Sequence, residues 1–296
     1  MYKEKSLSWR TCDIERRFGL RGARWTRVTM WFTFLLAVIA TVIFFAIMFF
    51  LPHNRYSDMF IARGITPYPI VLLGFWTWFS LCIKSSKLRM QRRPLKYSIL
   101  PGDPTFILTP YTVGQVIFKI NNQADEAEDF ILYHRILPTL SNLRNIGRVS
   151  DVNEILQSRS EQDENTMESS YTMINGFLWA IPILGFIGTV LGLSSAIGNF
   201  GSILASDTEM DALIPTLKQV TAGLSTAFET TLIALVIALF LQLIATNIKK
   251  REEEFLDECN EYCLINVVSR LRLDFGDKGE KTEDSTPRNQ RIQHMQ

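Results

Sequence analysis

Apolar positions along the chain gather into four long runs, separated by blocks of mixed or polar character. The first, VTMWFTFLLAVIATVIFFAIMFFL (28–51), holds no charged residue. As a helix rising about 1.5 Å per residue it reaches ~36 Å, more than the ~30 Å hydrocarbon core of a bilayer. The second, PYPIVLLGFWTWFSLCI (67–83), is shorter but sufficient. IPILGFIGTVLGLSSAIGNFG (181–201) is the third and QVTAGLSTAFETTLIALVIALFLQLIATNI (219–248) the fourth. The pattern predicts an all-α, polytopic membrane protein with four transmembrane helices. The last two extend as long helices into the cytoplasm.

Between the spans the texture differs. Residues 84–170 form a mainly helical cytoplasmic region that opens with a turn-rich crossing at Pro94, Pro101, Gly102, Pro104 and Pro110. A helix is expected from TVGQVIFKI, and another from DEAEDFILYHRILPTLSNLRNI, with acids in its first turn. From Asp151 no breaker precedes Gly176, so one helix should rise into the third span, its charge-rich part a solvated face. Past the fourth span, Phe255, Leu256, Cys259, Tyr262, Cys263 and Val267 keep the three-and-four spacing of one buried stripe. That stripe should pack against the helices of residues 111–170. The expected organisation is a basic N-terminal segment (1–27), a two-helix membrane hairpin (28–83), the cytoplasmic region (84–170), a membrane helix pair (171–248), a C-terminal helix (249–273) and a disordered tail (274–296).

Charge adds orientation. The chain has 31 Lys and Arg against 30 Asp and Glu, and the near balance hides strong local asymmetry. Basic residues crowd residues 1–27, follow the second span from Lys84 to Lys96, and follow the fourth at Lys249, Lys250 and Arg251. Lysine and arginine resist translocation, so all three clusters and both termini are expected on the cytoplasmic side of the membrane. Loops 52–66 and 202–218 then lie outside and are short. Basic residues also precede the first run, as in a secretory signal, but its apolar core is too long and lacks a small-residue cleavage pattern; it reads as a retained anchor. The four cysteines form no disulfide framework, and Cys259 with Cys263 lacks further ligands for a metal. No HExxH, GxSxG or P-loop is present, which argues against an enzyme. The reading calls for no cofactor, metal or nucleic acid.

Small and polar residues supply the candidate chemistry. On a helical wheel Gly185, Gly188, Thr189, Gly192, Ser195, Ala196 and Asn199 share a sector about 120° wide, away from Phe186, Val190 and Ile197. Such a face serves either close approach of another backbone or a space for water and a guest. Glu229 lies deep in an apolar run, where an ionisable group costs on the order of 3 kcal/mol by insertion scales, so it will not face lipid. Thr221, Ser225, Thr226 and Thr230 share its half of the helix. The acid either flanks an ion path or hydrogen-bonds a neighbouring helix.

WAIPILGFIGTVLGL followed by GLSTAFETTLIALVIAL resembles the paired motifs of the MotA/TolQ/ExbB proton channel family, over roughly residues 160–255. The motifs are nearest the TolQ/ExbB branch; the four-span layout is like MotA. The resemblance implies a homo-oligomeric ring, a pentamer in that family. The ring encloses a single-span ExbD/TolR/MotB-like partner dimer whose membrane Asp takes and releases protons. Thr189 and Thr231 fall on the family's pore threonines, so the resemblance implies a channel lining of Thr189, Thr231, Gly185, Gly188, Gly192, Ser195 and Asn199. Glu229, Ser225, Thr226 and Thr230 would form a polar stripe or an intersubunit contact. The family's glutamate falls at Thr226, so its role does not transfer to Glu229. The implied function is a proton-driven motor or stator subunit energising transport, envelope or motility work. The alternative is a structural membrane scaffold whose glycines serve packing alone.

Overall fold

The computed structural model describes residues 7, 15, 25–50, 60, 65–100, 106–143, 146, 148–204 and 213–272. Within them are six α-helices: α1 (Met30–Phe50), α2 (Pro67–Gln91), α3 (Val113–Gln123), α4 (Ile131–Ser141), α5 (Val149–Leu204) and α6 (Leu213–Asn266). No strand is present among the described residues, only the isolated bridges Leu7–Ala124 and Leu108–Leu271. Four helices are long and apolar enough to cross a membrane. The expected disordered tail and most of the basic N-terminal segment lie outside the described residues.

α5 and α6, of 56 and 54 residues, run side by side as the longest and most extensive helix pair. At about 1.5 Å per residue each spans ~80 Å, more than twice a hydrocarbon core, so half of each projects beyond the apolar segments as a stalk. Pro182 lies inside α5, and the helix continues through it. α2 lies against both long helices, and α1 leans on α2. There the Trp76 indole donates to the Thr33 hydroxyl at 3.1 Å and the Phe34 and Trp76 rings sit 4.8 Å apart. The outer side of α1, including Trp31 and Phe50, is exposed and apolar, as a lipid-facing helix requires.

The stalk has a conventional core. Phe255, Leu256, Cys259, Cys263 and Val267 of α6 are buried with Leu132, Ile136 and Leu140 of α4 and Val152 and Leu156 of α5. This is the stripe expected from the three-and-four spacing, and it packs where expected.

Two local expectations are corrected. The charge-rich part of α5 is not wholly a solvated face. Asp163 is buried because the Arg135 guanidinium of α4, fully buried itself, donates to Asp163 Oδ2 from Nε at 3.0 Å and Nη2 at 2.8 Å. Second, the run DEAEDFILYHR is not one helix. A 3₁₀ turn at Ala127–Asp129 gives way to extended Phe130 before α4 begins. The Gln91 side chain of α2 holds this break: its amide donates to the Asp129 carbonyl at 2.8 Å and its oxygen accepts the Ile131 N–H at 3.0 Å. It therefore caps α4 from another helix, satisfying an N–H that has no partner within the first turn.

Buried polar groups also fasten the hairpin to the stalk. Lys84 Nζ lies 3.1 Å from Glu252 Oε2, donates to Ser170 Oγ at 2.6 Å and sits 4.2 Å from the centre of the Tyr171 ring. Tyr171 and Thr26 donate their hydroxyls to the same Glu252 carboxylate. Lys87 pairs with Glu15 at 2.5 Å and donates to the Arg27 carbonyl at 2.8 Å. Each charge has an opposite charge and further hydrogen bonds, the condition under which buried ions are tolerated.

Candidate functional site

The small residues of α5 meet small residues of α6 in antiparallel order. A Cβ placed on Gly185 would lie 2.5 Å from Ala234 Cβ and 3.3 Å from Thr231 Cα; on Gly188, 3.3 Å from Thr230 Cβ; on Gly192, 3.0 Å from Ala227 Cβ. A Cβ on Gly223 would lie 3.0 Å from Ala196 Cβ. Steps of three and four on one helix answer steps of three and four on the other, so the two backbones touch along a ladder that admits no larger side chain. Gly185, Gly188 and Gly192, which the resemblance places along a channel wall, each face α6 here. All three are spent on the contact with α6 of the same chain.

One flank of the ladder is covered by α2. Thr66 Oγ1, just before α2, would be 3.0 Å from a Cβ on Gly188, and Ile237 Cγ2 approaches Gly74 of α2 to 3.2 Å on the same measure. Thr230, 2% exposed, faces this flank and donates to the Ala227 carbonyl at 3.2 Å. Of the residues expected in a polar stripe or an intersubunit contact, it is the one buried within the chain itself among those whose side chains are described.

Thr231 follows Thr230 by about 100° of helix turn and so emerges on the other flank. There it meets Thr189. The two hydroxyls hydrogen-bond each other, and the Gly185 carbonyl lies 2.9 Å from the Thr231 oxygen and 3.2 Å from that of Thr189. Both threonines are only half-buried. The pair can exchange hydrogen bonds with each other and offer the rest to whatever lies beside the flank.

The remaining expected residues stand apart. Ser195 is exposed, and the side chains of Asn199 and Thr226 lie outside the described residues. Glu229 is half-buried, about 150° round α6 from Ala227 and Ala234, and Ser225 donates to its Oε1 at 3.2 Å. The acid and the threonine pair therefore face different surroundings, as the wheel requires. Sequence reasoning missed Thr66, Gly223, Ala227 and Ala234 as partners of the glycines. The signal was there: 223, 227, 230 and 234 advance in steps of three and four, as 185, 188, 192 and 196 do.

A family model described as the MotA/TolQ/ExbB proton channel family matches residues 123–261. No curated protein and no solved structure matches the chain. The matched segment contains α4, α5 and nearly all of α6, and with them the ladder and both threonines. Four helices long and apolar enough to cross a membrane, together with a match to a membrane-channel family, mark a multi-pass membrane protein. Through the segment that builds this site, the chain is similar to the MotA/TolQ/ExbB proton channel family.

Proposed function

We propose that this protein is the ring-forming subunit of a proton-driven stator in a bacterial inner membrane. Several copies, five by resemblance to the family, surround a single-span partner dimer. The Thr189–Thr231 pair faces that partner and hydrogen-bonds the carboxyl group it carries. The observation that carries this reading is the position of the pair. Two hydroxyls bridge the last two membrane helices on the flank that α2 leaves uncovered, within the segment matched by a proton-channel family. The basic clusters support a cytoplasmic stalk. Proton flow would then turn ring against partner and energise transport, envelope or motility work.

The glycine ladder favours a second reading, a scaffold whose small residues serve packing alone. Thr189→Val and Thr231→Val separate the two. Each keeps the shape of the side chain and removes its hydroxyl, so assembly with the co-expressed partner should persist in detergent. Proton uptake into proteoliposomes should fall at least tenfold. Uptake at the parent level in both variants would leave the scaffold standing.

A further inference from the structure

Thr231, Gln242 and Lys249 follow one another at intervals of eleven and seven residues, which returns each to within about 20° of the same side of α6. On α5, Pro182 and Leu178 lie seven and eleven residues before Thr189 and so return to within about 20° of its side. Between the threonine pair and the stalk, these two stripes border a groove of about 540 Å³ lined by Leu178, Trp179, Pro182, Ile183, Phe186 and Gln242. Gln242 lies about 10 Å along the helix from Lys249, inside the apolar segment.

Two residues that line this groove, Leu178 and Gln242, each carry a polar group short of a partner that membrane depth demands. Pro182 has no N–H, so the Leu178 carbonyl lacks the helical donor it would otherwise receive. The exposed Gln242 amide makes no hydrogen bond to a described residue; only its backbone carbonyl is engaged, by Thr246 Oγ1 at 2.9 Å. An amide turned to lipid in this state is costly, whereas one turned to water is not. At the stalk end of the stripe, the half-buried Lys249 places Nζ 3.9 Å from Glu168 and 3.6 Å from Glu253, both exposed.

The geometry points to a hydration site: the Gln242 amide and the Leu178 carbonyl hold water in this groove and relay protons between the Thr189–Thr231 pair and the Lys249–Glu168 mouth. The groove has room for several waters of about 30 Å³ each. The relay rests on the proposed channel function; the hydration does not.

Both parts are tested on the full chain with its co-expressed partner. In a Cys82→Ser parent, Gln242→Cys should react with a membrane-impermeant charged methanethiosulfonate at least tenfold faster than Leu243→Cys, its neighbour on a different side of α6. Equal, slow reaction at both positions would overturn the hydration site. Gln242→Leu should lower proton uptake at least fivefold with assembly unchanged, and Gln242→Asn should restore most of it. If Thr189→Val abolishes uptake while Gln242→Leu leaves it intact, the relay is wrong and the channel stands. Normal uptake in Thr189→Val and Thr231→Val defeats the channel reading and the relay with it, and the labelling rates then decide hydration alone.

Discussion

The two halves of the α5–α6 pair hold together by different physics. Within the apolar segments the contact is made of Gly185, Gly188, Gly192, Gly223, Ala227 and Ala234, with backbones almost touching. In the stalk it is made of Phe255, Leu256, Val152, Leu156 and the cysteines, with buried ions set among them. Lipid tails are as apolar as leucine, so burying large apolar side chains between membrane helices gains little. Close approach of backbones and dispersion must suffice there. In water the hydrophobic effect drives the stalk together, and the ion pairs then fix which groups meet. The same two helices thus carry a surface selected for smallness and a surface selected for size.

The largest test of that contrast is Glu252→Leu. It strands Lys84 in a site where the lysine is 1% exposed, and loss of one partner of a buried pair costs about 3–5 kcal/mol. A marked fall in thermal stability in detergent is expected. Lys84→Met combined with Glu252→Leu should recover most of it, since the penalty belongs to the stranded charge. No recovery would mean that the ions hold the junction in a way apolar packing cannot replace.

Next comes the ladder. Gly185→Ala introduces a methyl group 2.5 Å from Ala234 Cβ, and overpacking of this kind costs about 1–3 kcal/mol. Gly176→Ala, on the same helix, meets nothing within 4 Å and should stabilise by about 0.5–1 kcal/mol through loss of backbone freedom in the unfolded chain. Opposite signs for two identical substitutions on one helix, read by thermal melting, would confirm that the ladder is at its limit. Equal signs would break the comparison.

The smallest effect concerns the stalk core. Burial pushes the Cys263 thiol up to about 12, against the opposing pull of the Arg135 guanidinium. The folded state therefore keeps its proton where the unfolded chain, with an ordinary thiol near ~8.5, loses it. The resulting contribution to stability is complete below about pH 8.5 and declines as pH climbs toward 12. Melting temperatures between pH 7.5 and 10.5 should fall more steeply for the parent than for Cys263→Ala. Native Cys263 should also resist thiol reagents at pH 8, because the thiolate is the reactive form.

Much of the fold was legible because bilayer thickness and helix period are strong constraints. Four uninterrupted apolar runs named four spans, and the spacing from Phe255 to Val267 named the stalk stripe. Breaks set from a distance were not legible. Nothing local in DEAEDFILYHR announces that Gln91, forty residues before Ile131, will cap α4. The solvated face assigned around Asp163 failed for a related reason: a carboxylate is read as exposed until a buried guanidinium from another helix is placed beside it. At the site, the wheel grouped the small residues correctly but could not tell a contact with α6 from an open wall, since both demand missing side chains. Thr189 and Thr231 were legible through family resemblance; their mutual hydrogen bond needed the packing of α5 on α6.

The ladder leaves no slack between α5 and α6. Two helices whose backbones are in contact cannot slide or roll past each other by a fraction of a turn without collision, so they behave as one stiff double rod. Any angular displacement imposed on its membrane end must reappear at the far end of the stalk, as a sideways shift that grows with the length of the arm. A torque generated beside the threonines would therefore be felt tens of ångströms away without a single hinge being needed between.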